Sequence, residues 1–182
     1  MSITQHTGFL VVLLSSESPN GRNPRYCGVN RIPAYPTDFP QEALAIDDYV
    51  FGEYKNLNSN LIDDFSQARE LLERFRDSPR EFELIGWCRE SEIARFSALA
   101  PAVSSFSLLG SDVAVVGGDY WSIVEDIPES RWADKYVDRL NEYGLLPGEA
   151  VAMRYLNEYR QHAEADADCD FEVGSVLRIA RP

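Results

Sequence analysis

The sequence predicts a single α+β domain spanning residues 1–182, with a mostly antiparallel sheet packed by about three helices. Three observations carry this. Short apolar runs rich in β-branched residues are separated by Gly, Ser, Asn and Asp. Three longer stretches place apolar residues at steps of three and four. No repeat, low-complexity tract or linker divides the chain. At 182 residues it is near the size of one domain, and a domain of this length buries roughly 70% of its unfolded surface. Such a core stands without disulfide staples.

The elements follow in order. Phe9–Leu14 is a short apolar run with polar ends and predicts a buried strand. Ser15–Pro24 is loop-like, and the three prolines between Arg31 and Pro40 predict irregular chain. Residues 48–54 read as a short strand. Leu61–Arg76 is the clearest helix, with Leu61, Phe65, Ala68, Leu72 and Phe75 on one stripe. Asn58–Asn60 offer capping side chains, Asp63 and Asp64 favour the first turn, and Ser78-Pro79 ends it. Phe82–Cys88 predicts a strand.

Phe106–Leu109 and Val113–Val116 are apolar runs interrupted by Gly110-Ser111-Asp112, and Tyr120–Val124 returns after Gly117-Gly118-Asp119. This predicts a hairpin with a broad tip. Two helices then form a helical hairpin. One covers Arg131–Tyr143, with Trp132, Tyr136, Leu140 and Tyr143 on one face and Gly144 as its stop. The other runs from Pro147 to about Ala163, with Val151, Tyr155, Tyr159 and His162 on one face. An acidic loop, Asp166–Asp170, leads to Phe171–Ile179. There Phe171, Val173, Leu177 and Ile179 alternate with Glu172 and Arg178, the pattern of a terminal strand with one wet face.

Charge narrows the function. The net charge is −13, yet the chain up to Gln41 carries +1 from Arg22, Arg25 and Arg31 against Glu17 and Asp38, so the remainder holds −14. A field of that sign repels nucleic acid and anionic membrane and favours a basic partner. No apolar run approaches the about 18 residues of a membrane span, and no basic residue precedes the first run as in a signal peptide. A soluble cytoplasmic protein is expected. Fifteen of the 17 basic residues are Arg, which suits a GC-rich bacterial coding sequence.

Catalytic and metal constellations are missing at the sequence level. Cys27, Cys88 and Cys169 are odd in number and form no CxxC pair, so they read as buried free thiols. A nucleophile needs a base and an orienting group, but only His6, near the N-terminus, and His162, at a helix end, are present. Asp166–Asp170 superficially resembles a calcium loop, but lacks Gly at the sixth position and Glu at the twelfth. Gly117-Gly118-Asp119 begins like a nucleotide-cyclase signature, but Tyr120-Trp121 replace its Glu-Phe. No P-loop or dinucleotide fingerprint occurs. No cofactor, metal or catalytic residue is therefore expected, and the chain is not expected to be an enzyme.

What remains distinctive is the segment Asp112–Asp126. Asp112, Asp119, Glu125 and Asp126 flank Tyr120 and Trp121, and acids beside large aromatics suit a protein-binding patch. The competing reading is a structural turn whose aromatics pack inward. The runs Gly110–Val124, Tyr136–Leu146 and Tyr155–Tyr159 resemble the immunity proteins encoded beside bacterial polymorphic toxins, over residues 82–179. That resemblance implies a non-catalytic inhibitor that binds a cognate toxin and blocks its active site. A basic nuclease toxin would match the acidity. The alternatives are a hydrolase acting on sugars through paired carboxylates, such as Asp119, Glu125 and Asp126, and a regulatory binding protein without a toxin.

The absence of a ligand cluster generates one expectation. A chelator should leave the melting temperature unchanged, because nothing couples metal to folding. A drop restored by one added metal would overturn it.

Overall fold

The computed structural model describes residues 7–13, 61–62, 64–74, 76–77, 82–99, 106–115, 121–124, 127, 130–162 and 169–179. Its strands are β1 (Gly8–Leu13), β2 (Phe82–Cys88), β3 (Phe106–Val115), β4 (Trp121–Ser122) and β5 (Phe171–Ile179). Its α-helices are α1 (Phe65–Arg74), α2 (Ile93–Leu99), α3 (Asp134–Val137) and α4 (Glu149–Tyr159). Glu90–Glu92 and Arg131–Ala133 are single 3₁₀ turns leading into α2 and α3. The strands form one antiparallel sheet in the order β1-β2-β5-β3-β4, four full strands and a two-residue edge. The α+β expectation with an antiparallel sheet and a few packed helices is what the structure has.

Strand alternation divides the sheet into two faces. On one face, Leu84, Cys88, Leu177 and Ile179 meet Phe9, Ala68 and Leu71, with Phe96 from α2 in the same cluster. Further along, Val113, Val173 and Phe171 meet Ala152, Tyr155, Leu156 and Tyr159 of α4. On the other face, Ile85, Trp87, Val176 and Ala114 pack with Leu61, Leu109 and Leu145. Phe171, Val173, Leu177 and Ile179 do face a core, as the alternation predicts. The expected wet face does not hold along the whole strand. Glu172 and Arg178 are partly exposed, but Gly174 and Val176 between them are buried. As the middle strand of five, β5 is covered on both sides.

Two glycines, Gly174 on β5 and Gly86 on its neighbour β2, admit aromatic rings against the backbone on opposite faces of the sheet. A Cβ on Gly174 would overlap the indole of Trp87 on one face, and a Cβ on Gly86 would overlap the ring of Phe96 on the other. Glycine in a strand commonly marks such a close approach.

Helix ends differ from expectation for local reasons. Helix α1 begins at Phe65 because Asp64 caps it: the Asp64 Oδ1 accepts the Gln67 N–H at 2.9 Å and its carbonyl accepts the Ala68 N–H at 3.0 Å. Leu61 and Ile62 instead extend past β1, where Ile62 and Phe9 exchange two backbone hydrogen bonds of 2.9 Å. Helix α2 has no counterpart in the sequence reading. Its signal is the three-residue spacing of Ile93 and Phe96, both packed on the core, after the acids Glu90 and Glu92.

The helix expected over Arg131–Tyr143 is only a 3₁₀ turn and the four residues of α3. Asn141 breaks it. Its Oδ1 accepts the N–H groups of Tyr143 and Leu145 at 2.9 and 3.1 Å, and its Nδ2 donates to the Leu109 carbonyl at 2.6 Å. A short polar side chain thus supplies backbone partners that a helix would otherwise supply. Gly144 turns the chain with φ 72°, and Leu146 exchanges hydrogen bonds of 2.7 and 3.0 Å with Ser111 on the edge of β3. Gly110 makes the approach possible, since a Cβ there would come within 2.7 Å of the Leu145 Cβ.

Among the described residues no helix is long and apolar enough to cross a membrane. The strand expected at 48–54 and the loops at 15–40 lie outside the described residues.

The packing sets two expected outcomes. Leu177→Ala should cost about 2–5 kcal/mol, as for a truncated core leucine. Gly174→Ala should cost about 1–3 kcal/mol through overpacking against Trp87. Chemical denaturation checks both, and an unchanged midpoint for either variant would contradict the two-sided burial of β5.

Candidate partner-binding segment

The segment from Asp112 to Asp126 begins on β3 and returns through β4. The sequence reading split β3 at Gly110-Ser111-Asp112, but the strand runs unbroken from Phe106 to Val115. The interruption is a bulge, where the register with β5 shifts between Leu108 and Gly110. Strand β4 is shorter than the expected Tyr120–Val124. Only Trp121 and Ser122 pair, opposite Val115 and Ala114.

Asp112 is fully buried, and this corrects its reading as a surface acid. Its Oδ1 accepts the Ser122 hydroxyl at 2.6 Å and the Val113 N–H at 2.7 Å. The Ser122 Oγ in turn accepts the Val124 N–H at 3.2 Å. A buried carboxylate is costly unless hydrogen bonds satisfy it, and those bonds tie the two arms of the hairpin together. Asp112 therefore stabilises the base of the segment, where a partner has no access to it.

A second tie comes from α4. The Tyr155 hydroxyl donates to the Ile123 carbonyl at 2.7 Å, and the Ile123 N–H donates to Val113 O at 2.9 Å. Tyr155 is held in an aromatic column. Trp132 stacks on it at 5.4 Å with planes 10° apart, and the exposed His162 covers the other side of Trp132 at 4.3 Å and 20°. His162 thus serves as the outer layer of a packed stack. Neither Tyr155 nor Trp132 was among the residues the sequence marked for this segment. The periodicity of α4 placed Tyr155 on a core face but gave no hint that its hydroxyl reaches Ile123.

The remaining candidates divide sharply. Trp121 has a backbone position on β4. Asp119, Tyr120, Glu125 and Asp126 lie outside the described residues. What the structure supplies is the position of the strand residues that flank them in sequence. Val115 lies opposite both Trp121 and Phe171 in the sheet. The chain segments 116–120 and 163–168 therefore connect to the sheet at the same end.

Titratable groups elsewhere are structural in character. Burial, and then the charge of Glu92, push the Cys88 thiol up to about 12, so it is a poor nucleophile. Burial, and then the Glu158 carboxylate beside it, push the Tyr136 phenol up to about 12, though no acceptor meets its hydroxyl at hydrogen-bond geometry. Lys135, 2.6 Å from Glu158, holds that carboxyl below the usual glutamate range. Among the described residues no group of three His, Cys, Asp or Glu side chains could hold a metal ion.

Two expected outcomes follow from these contacts. A double-mutant cycle with Asp112→Ala and Ser122→Ala should give a coupling of about 1.5–3 kcal/mol, the range for a hydrogen bond to a charged group. A coupling near zero would remove Asp112 from its role as a tie. For pH, Tyr136 has a folded pKa raised above its unfolded value, so its contribution is complete below pH 10 and is lost as pH rises towards about 12. Tyr136→Phe should flatten the loss of stability in that alkaline window, read as the melting temperature against pH. An identical alkaline slope in the variant would contradict the assignment.

No protein-family model matches this chain, and neither a curated protein nor a solved structure shows significant similarity to it.

Proposed function

We propose that the chain is an immunity-type inhibitor, a non-catalytic protein that binds a basic bacterial toxin and neutralises it. The observation that supports this is where the acidity sits. The described residues hold 15 acids and 11 bases, a balance of −4. The other residues hold 15 acids and 6 bases, a balance of −9, which completes the total of −13. The described residues are thus the less acidic part, and most of the net negative charge is carried by the rest of the sequence.

Two stretches contain acids and no base. Residues 116–130 carry Asp119, Glu125, Asp126 and Glu129, and residues 163–170 carry Glu164, Asp166, Asp168 and Asp170. Residues 116–120, with Asp119, and residues 163–170 connect to neighbouring strands at one end of the sheet, next to Val115, Trp121 and Phe171, while residues 123–130 leave β4 from its other end. Acid grouped in this way steers a cationic surface into encounter and competes with the phosphates that a nuclease cleft would bind. Tyr120 and Trp121 supply large aromatic area of the kind that anchors interfaces.

The test is a search of the neighbouring genes for a toxin, co-expression with that toxin, and then binding kinetics. Growth should be restored, and association should slow as salt rises, because screening shortens the reach of surface charge to about 8 Å at physiological ionic strength. Reversing Asp119, Glu125 and Asp126 to Lys should lower the association rate at low salt. Asp112 is left intact, since reversing a buried acid would test the fold. Trp121→Ala should raise the dissociation rate about 30-fold, the equivalent of a hot spot worth about 2 kcal/mol. Failure to restore growth would reject the inhibitor reading. Restored growth with unchanged rates for the reversal would reject this segment and move attention to Asp47, Asp48, Asp63 and Asp64.

A further inference from the structure

No further inference is drawn: the strongest candidate, the buried Tyr136 hydroxyl beside the Lys135–Glu158 ion pair on the α3–α4 side, is closed to solvent and already has the Glu158 carboxylate next to it, so nothing in the structure points to a ligand there.

Discussion

The architecture depends on the central strand β5 being covered on both faces. Trp87 occupies the space over Gly174, and Phe96 occupies the space over Gly86. Each ring lies against backbone where any side chain would stand. That contact brings α2 onto one face and sets Trp87 among Ile85, Val176 and Ala114 on the other. The antiparallel neighbours β2 and β3 then have both edges of β5 to pair with. With edges and faces all occupied, β5 is the element around which the other strands and helices take their places.

The same economy explains the β3–β4 region. A two-residue edge strand has little pairing of its own, and isolated short hairpins are marginal in water. It is held by side chains from elsewhere: Asp112 through Ser122, and Tyr155 through the Ile123 carbonyl. The Asn141 side chain does comparable work in the middle of β3, fixing the 141–146 segment against Leu109 and Ser111. Polar groups buried with their partners fix geometry more sharply than apolar contacts, because a displaced hydrogen bond leaves an unsatisfied group behind. The pairing of β3 with β4 is therefore fixed by satisfied polar contacts.

Charge in this protein separates from packing. The described frame pairs many of its acids locally, as in Lys135–Glu158 and Arg178–Glu83. Such exposed or half-exposed pairs add little stability. A net charge of −13 creates a long-range field whose physical consequence is on encounter with other charged molecules.

The sequence by itself determined the fold class, the strands β1, β2 and β5, and Ala68, Tyr155 and Tyr159 as core residues of α1 and α4, while Leu71 and Leu156 escaped the stripes it marked. Each is a local pattern repeated over several residues, as in Phe171–Ile179, and burial of one stripe is readable from spacing alone. It also determined the acidity. Only the tertiary structure decided the rest. The short α3 depends on Asn141 reaching Leu109, 32 residues away, and Asp112 changed from a surface acid to a buried tie because Ser122 stands opposite it across the hairpin. Helix α2 and the dry middle of β5 depend on rings meeting glycines in other elements. Spacing reports which side of an element is apolar, but a single long-range contact leaves no periodic trace in the chain.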